Sequence, residues 1–396
     1  VTSTPSAIGH NGSRFAQRAL DIEPFRVMKV LARARELEAL GRDIVHLEIG
    51  EPDFSTAAPI VAAGQAALAH GQTHYTPAAG LPQLRVAIAE WYAQAYGVAI
   101  APERILVTPG ASGALLLAAA LLVDVGQTLL MGDPGYPCNR HFVRLIEGRA
   151  QLIATSAQQR FQLTAELAEP HWQAGTAGIL VASPANPTGE ILDRGQLEQL
   201  WQLCQRRQGH LLVDEIYHGL TYECRAPSIV EITDAAFAIN SFSKYFGMTG
   251  WRLGWLVAPH NAVTDLEKLA QNLFIAPSTP AQYAALAAFT PEARVIFDAR
   301  RAELQRRRDY LLAELRAMGF GIAHVPAGAF YLYADASRFT DDSERFCVDL
   351  LEQHGVALTP GTDFGTHNAK TFVRFAYTTG MARLEEAVRR LRRVCR

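Results

Sequence analysis

Phe237-Ala238-Ile239-Asn240-Ser241-Phe242-Ser243-Lys244-Tyr245-Phe246-Gly247-Met248-Thr249-Gly250-Trp251-Arg252 is the stretch of this chain whose reading decides the fold. It opens with an apolar run at 237–240, passes two serines and a lysine, and continues through glycines towards a second apolar run at 254–258. Continuous apolar runs bounded by turn residues read as strands buried on both faces of a parallel sheet, since half-exposed strands alternate instead. A lysine between two such runs lies at a strand end, the place where open α/β sheets collect their ligands. The chain has four lysines: Lys29, Lys244, Lys268 and Lys370. Lys29 and Lys268 fall on the polar faces of expected helices, and Lys370 falls in a Gly/Asn/Thr loop, so these three read as solvated surface cations. Lys244 fits that description poorly. A lysine there can reach a carbonyl cofactor, and a Schiff base needs its neutral amine.

The same grammar extends upstream. Apolar runs at 104–108, 128–131, 178–182 and 210–213 are separated by helix-length segments, and strands alternating with helices imply an α/β sheet with crossover connections. After about residue 290 the character changes. An Arg/Glu-rich helical stretch covers 291–318, followed by a run at 330–334, a helix near 343–354, a run at 371–377 and a terminal helix from about Met381, which together read as α+β. At the other end, Pro24 introduces a helical pattern that runs through Leu40 and stops at Gly41, and a run at 44–49 leads into the turn cluster Gly50-Glu51-Pro52-Asp53. Further helical patterns lie near 60–70 and 81–96. The expected organisation is an N-terminal arm at 1–24, a large domain at 50–290, and a smaller domain made of 25–49 and 291–396.

Composition narrows the function. Hydrophobic residues make up 49% of 396 and charged residues 19%, so a sizeable core can form and a disordered chain is excluded. A formal net charge of -2 without long single-sign runs argues against nucleic acid or an anionic membrane surface as partner. The cysteines, Cys138, Cys204, Cys224, Cys347 and Cys395, form no Cys-x-x-Cys pair and read as free thiols, with no metal site expected. The longest apolar stretch, 113–123, is too short to span a bilayer, and the first twenty residues hold no apolar signal core. A soluble cytoplasmic protein is expected, which makes the glycosylation-type triplet Asn11-Gly12-Ser13 a chance match.

Polar and small residues follow the other runs too. Asp214-Glu215-Ile216-Tyr217 follows 210–213, and a carboxylate at that desolvated strand end wants a cation, although a strand-terminal Asp can equally cap a helix or bind a metal. Ser183-Pro184-Ala185-Asn186-Pro187-Thr188-Gly189 follows 178–182 and holds an Asn amide on a stiff loop; by itself it is an ordinary turn. Pro109-Gly110-Ala111-Ser112-Gly113 follows 104–108 and opens a helix, where exposed backbone N–H groups favour an anion. No Gly-Lys-Ser/Thr follows, so it is no Walker motif.

Taken in order, these segments resemble the fold type I enzymes that depend on pyridoxal 5′-phosphate (PLP), and most closely the class I/II aminotransferases of aspartate aminotransferase type. Gly50-Glu51-Pro52-Asp53, Tyr75-Thr76-Pro77 and Arg374-Phe375-Ala376 extend the match, which covers about residue 25 to the end. The resemblance implies an α/β fold, with a mostly parallel seven-stranded sheet between helices in the large domain and a smaller α+β domain beside it. It implies that Lys244 carries the cofactor and shuttles the substrate proton, that Asp214 pairs with the pyridinium nitrogen, and that Asn186 and Tyr217 bond its phenolate oxygen. Arg252, Ser241 and Ser112, with the backbone at Ala111, Ser112 and Gly113, would bind phosphate. Tyr136 would stack on the ring, and Tyr75 would reach the phosphate of a neighbouring subunit, so a homodimer is implied. Arg374 would grip the substrate carboxylate beside Asn186 and the Gly50 backbone. The implied reaction moves an α-amino group from an amino acid to a 2-oxo acid by ping-pong kinetics. A carbon–sulfur β-lyase or related synthase would share this cofactor site. An effector-binding module without turnover fits less well, because the segment before residue 25 is too short for a helix-turn-helix domain. Ser112 stands near where some relatives that prefer dicarboxylic substrates have a lysine, so neutral donors are expected, with Phe25, Phe364 and Tyr136 as candidate pocket walls.

Overall fold

The computed structural model describes residues 15–395. Residues 1–14, which include Asn11-Gly12-Ser13 and most of the expected arm, lie outside the described residues; the rest of that arm holds the short helix Gln17–Asp21. In chain order the strands are β1 Val45–His46, β2 Ile105–Thr108, β3 Thr128–Asp133, β4 Arg149–Ala154, β5 Thr176–Ala182, β6 His210–Asp214, β7 Phe237–Ser241, β8 Gly254–Val257, β9 Tyr331–Asp335, β10 Val356–Ala357, β11 Thr359–Pro360 and β12 Phe372–Ala376.

β2 to β8 form one seven-stranded sheet in the order β2-β8-β7-β6-β5-β3-β4. The run at 210–213 is continuous because β6 faces two cores at once: Leu211 and Val213 point into one apolar layer with Ile88, Leu200 and Trp255, and Leu212 points into the opposite layer with Leu115, Leu129 and Leu256. Each such fully buried side chain contributes about 1.5–3 kcal/mol. The pairs of β3 with β4 and β5, of β5 with β6 and of β6 with β7 are parallel. β8 is not: it runs antiparallel to both β7 and β2. The expectation that 254–258 is a parallel strand is corrected by the connection before it. Residues 242–253 carry only the 3-10 turn Thr249–Trp251, with no crossover helix to bring the chain back to the starting edge. β4 was not anticipated. It is an edge strand with Ile153 as its one buried residue and with Arg149 and Gln151 in it, so no apolar run marks it.

A second core gathers Leu311, Leu315, Phe330, Leu332, Phe375 and Leu391. It lies around the three-stranded antiparallel sheet β11-β12-β9, the 28-residue helix Pro291–Met318 and the terminal helix Met381–Leu391. The long helix starts on Thr290, whose side chain accepts from Ala293 N, and ends at Gly319 in the left-handed region. β1 pairs in parallel with β10. The helix Arg26–Ala39 has no cap of its own at Phe25; Asp363 supplies it from a distant turn, accepting from Arg26 N (3.1 Å) and Val27 N (3.3 Å). Among the described residues no helix is long and apolar enough to cross a membrane.

After β1, four successive carbonyls are each bound by another element. Leu47 O accepts from Ala376 N (2.7 Å), Glu48 O from Thr359 Oγ1 (3.0 Å), Ile49 O from Thr378 Oγ1 (3.1 Å) and Gly50 O from Lys244 Nζ (2.8 Å). The segment is thus tied to the small sheet at one end and to the loop after β7 at the other.

Candidate active site

Loops at the carboxyl ends of β2, β3, β5, β6 and β7 open on a cavity of about 480 Å³. It is lined by Ala111, Ser112, Tyr136, Asn186, Asp214, Tyr217, Ser241, Lys244 and Arg252 from the large sheet and its loops, and by Phe25, Gly50 and Arg374 from outside that sheet. These residues, singled out from widely separated segments, therefore share one space. Gly113 does not line it, being buried in the first turn of the helix Gly110–Leu122. Tyr75 is 81% exposed, away from the cavity of its own chain. Phe364, expected as a pocket wall, packs instead on the guanidinium of Arg374, 4.7 Å from its ring centroid. Lys29, Lys268 and Lys370 are exposed, as their sequence setting suggests.

Lys244 is half-buried, and its amine is held on Gly50 O. Burial, reinforced by the charges of Arg374 and Arg252 and opposed by Glu51 and Asp214, lowers its pKa to about 8, so the neutral fraction of the amine near neutral pH is far above that of a solvated lysine. Asp214 shows the converse. Burial raises its carboxyl to about 7 against one backbone donor, Ile216 N at 3.1 Å, and the charge of Lys244. A buried carboxylate with so little compensation is built to receive a cation.

An anion site forms at the opposite wall. The helix Gly110–Leu122 has no side-chain cap for its first-turn N–H groups, and Ala111 and Ser112 of that turn line the cavity. Gly110 adopts φ +71, and a Cβ there would meet Arg252 Nη2 at 2.7 Å, so only glycine lets the guanidinium lie against the helix start. Arg252 Nη1 donates to Thr249 O at 3.0 Å. Ser241 Oγ accepts from Ser243 N at 3.0 Å and donates to Leu253 O at 3.1 Å, which stiffens this loop.

Arg374 makes the second anion site. It is 2% exposed and lies between the rings of Tyr331 (4.3 Å to the centroid) and Phe364. Nη1 donates to Asn186 Oδ1 at 2.9 Å, Nη2 donates to Glu48 O and to Thr359 Oγ1 at 3.2 Å, and Nε has no partner. No carboxylate pairs with it among the described residues, so a buried guanidinium is left to bind an incoming anion. Tyr331 was not foreseen. Its hydroxyl is 3.0 Å from that of Tyr217, and a Cβ on Gly50 would fall 2.1 Å from it, which explains the glycine. The run at 330–334 marks its strand, but only the pairing of β9 with β12 turns it towards Arg374. Ser243, Glu51 and Thr249 also line the cavity and were not assigned from sequence. Among the described residues no group of His, Cys, Asp and Glu could hold a metal ion.

A lysine amine held near neutrality, a buried aspartate and two separate anion sites on an α/β sheet define the frame of fold type I PLP enzymes. The family model for "Aminotransferase class I and II" matches residues 42–391, and the chain belongs to that family: it is a transaminase. Over 382 residues it is 40% identical to a valine–pyruvate aminotransferase of Mycobacterium tuberculosis, covering 96% of this chain and 97% of the relative. A crystal structure of an aminotransferase from Mycobacterium tuberculosis superposes with a TM-score of 0.93 at 39% identity, over 97% of this chain and 99% of that one. Aspartate aminotransferase from Thermus thermophilus with maleate superposes with a TM-score of 0.92 at 34% identity, over 96% and 100%. These likenesses favour transamination over the β-lyase reading.

Proposed function

We propose that this transaminase holds pyridoxal 5′-phosphate on Lys244 and passes the α-amino group of a neutral amino acid to a 2-oxo acid in two half-reactions. The observation that carries the reading is the shared cavity, in which the near-neutral amine of Lys244 and the buried carboxylate of Asp214 stand between two anion sites. When bound, the cofactor supplies an aldehyde that condenses with amines and a protonated pyridine ring that withdraws electrons from the substrate carbon. The residues present match its parts. Asp214 suits the pyridinium N–H, and Tyr136 suits a ring face. The first turn of the helix Gly110–Leu122, with Ser112, Ser241 and Arg252, suits the phosphate, while Tyr217 and the amide Nδ2 of Asn186 suit the phenolate oxygen. Arg374 then orients the substrate by its carboxylate, a charged contact of about 1.5–3 kcal/mol. Lys244 Nζ, when free, would take the proton from the substrate α-carbon and hand it back as an ammonium donor, a task suited to a pKa near the working pH. The first product leaves before the second substrate binds, which gives ping-pong kinetics.

The lining supports neutral donors. Phe25, Val27, Met28, Ile49, Leu115 and Ile216 face the cavity, and its cations, Lys244, Arg252 and Arg374, already have tasks. We further infer a homodimer in which the exposed Tyr75 reaches the neighbouring subunit, a two-domain division at 50–290 against 25–49 with 291–396, and, from five free cysteines, a cytoplasmic setting. Borohydride treatment of the holoenzyme followed by peptide mapping tests the core of the proposal. A pyridoxyl label on Lys244 is expected, and Lys244→Ala should lose that label and at least about 10²–10⁴-fold in rate. A label on any other residue would overturn the assignment.

A further inference from the structure

We propose that His46 and Glu48 are positioning residues for Arg374, and through it for the carboxylate of the amino or 2-oxo acid in the cavity. The inference rests on the reading of Arg374 as the carboxylate clamp.

Glu48 is 0% exposed and serves two masters. Its backbone carbonyl accepts from Arg374 Nη2 and from Thr359 Oγ1. Its side chain places Oε1 2.8 Å from His46 Nδ1, while Oε2 has no hydrogen-bond partner. The other ring nitrogen of His46 lies 3.1 Å from Glu38 Oε1, at the end of the helix Arg26–Ala39. With a carboxylate at each nitrogen, the imidazole is held with both N–H groups as donors, hence as a cation. The hydrogen bond to Glu48 is the main cause, set against burial, of a pKa raised to about 9.

The physical logic follows from the burial. A carboxylate fully out of water with one oxygen unbonded is costly unless a cation stands beside it. His46 is that cation, and it is anchored in turn on β1 and on a helix. The side chain of Glu48 therefore fixes the orientation of the residue whose carbonyl meets the guanidinium. The other acceptors of Arg374, Asn186 Oδ1 and Thr359 Oγ1, are side-chain atoms, so Glu48 O is its main-chain reference point. If the carboxylate relaxes, the carbonyl shifts with it, and the fork of Arg374 loses its aim. Displacements of an ångström in such supports cost about 10²-fold.

The test uses the holoenzyme with 3-methylbutanoate, a monocarboxylate shaped like valine without its amine. Calorimetry gives its affinity for the wild type, Glu48→Gln, His46→Gln, the double variant and Arg374→Gln. Each single change at 46 or 48 should weaken binding about 10–100-fold, and the double should be no worse than the singles, because the two act through one route. Cofactor affinity, read from absorbance, and the melting temperature should stay near wild type, and with valine as donor KM should rise more than kcat falls. Should Glu48→Gln fail to fold, His46→Gln, at a side chain 26% exposed, carries the test alone. Wild-type affinity at 46 and 48 with lost affinity in Arg374→Gln would sink the positioning role and spare the clamp. Unchanged affinity in Arg374→Gln as well would remove the clamp and the inference with it.

Discussion

At the scale of single residues, the cavity is asymmetric in charge. In the proposed reading Lys244, Arg252 and Arg374 each serve a different part of cofactor or substrate, and Ser112 adds no cation. Val27, Met28 and Ile49 line the same cavity, together with Phe25. A second carboxylate pushed against these apolar groups would lose its hydration without gaining a partner, whereas an aliphatic or aromatic side chain gains from burial. A donor panel of valine, leucine, phenylalanine and aspartate, run with pyruvate and with 2-oxoglutarate, should give kcat/KM at least about tenfold higher for the best neutral donor than for aspartate. A marked preference for aspartate would mean that a cation outside this lining reaches the substrate.

At the scale of elements, legibility tracked burial. Runs such as 178–182 and 210–213 are strands because both faces of each are covered, and burial on two sides leaves an unbroken apolar signature. The ligand-bearing loops were findable for the same reason, since they begin where those runs stop. Features set by pairing over long range were not findable. The direction of β8 depends on the missing crossover helix, the edge strand β4 has no continuous apolar run, with Arg149 and Gln151 interrupting it, and β1, β10 and β11 are two residues each. The aim of Tyr331 is likewise a product of strand register, and the burial of Glu48 beside His46 is a product of tertiary packing. The cap of the helix Arg26–Ala39 belongs to this group, because Asp363 is more than three hundred residues away from Arg26 in sequence. That cap matters for the site, since the first turn carries Val27 and Met28 into the cavity wall. Asp363→Ala should cost about 0.5–2 kcal/mol of helix stability, seen as faster hydrogen exchange at the Met28 and Lys29 amides, while Asp363→Asn should keep most of the protection. Unchanged exchange in the alanine variant would show that the helix start is held by packing alone.

At the scale of the whole molecule, the proposed site combines residues on the loops of the seven-stranded sheet with Arg374 on β12 of the small sheet, and the 47–50 carbonyls run between them. The proposed two-domain division would let one unit move against the other, which suits a binding step that grips the substrate carboxylate. In the proposed dimer Tyr75 would be a third contributor. An aromatic ring 81% exposed is poorly placed in a monomer, and its loop is braced by Thr279 Oγ1 donating to His74 O at 2.6 Å, so the ring is presented on a supported turn. The proposed two-fold dimer would bury it and bring its hydroxyl towards the phosphate site of the partner, as an isologous interface requires of both copies at once. Sedimentation of the holoenzyme should therefore give about twice the 43.3 kDa of one chain. Tyr75→Phe, which keeps the ring and removes the hydroxyl, should remain dimeric but release its cofactor more readily on dialysis, because one donor to the phosphate is gone. Tyr75→Ala should in addition loosen the dimer. A monomer at micromolar concentration that retains full activity would exclude the shared site, and a dimer whose Tyr75→Phe variant holds cofactor as tightly as wild type would confine Tyr75 to the interface.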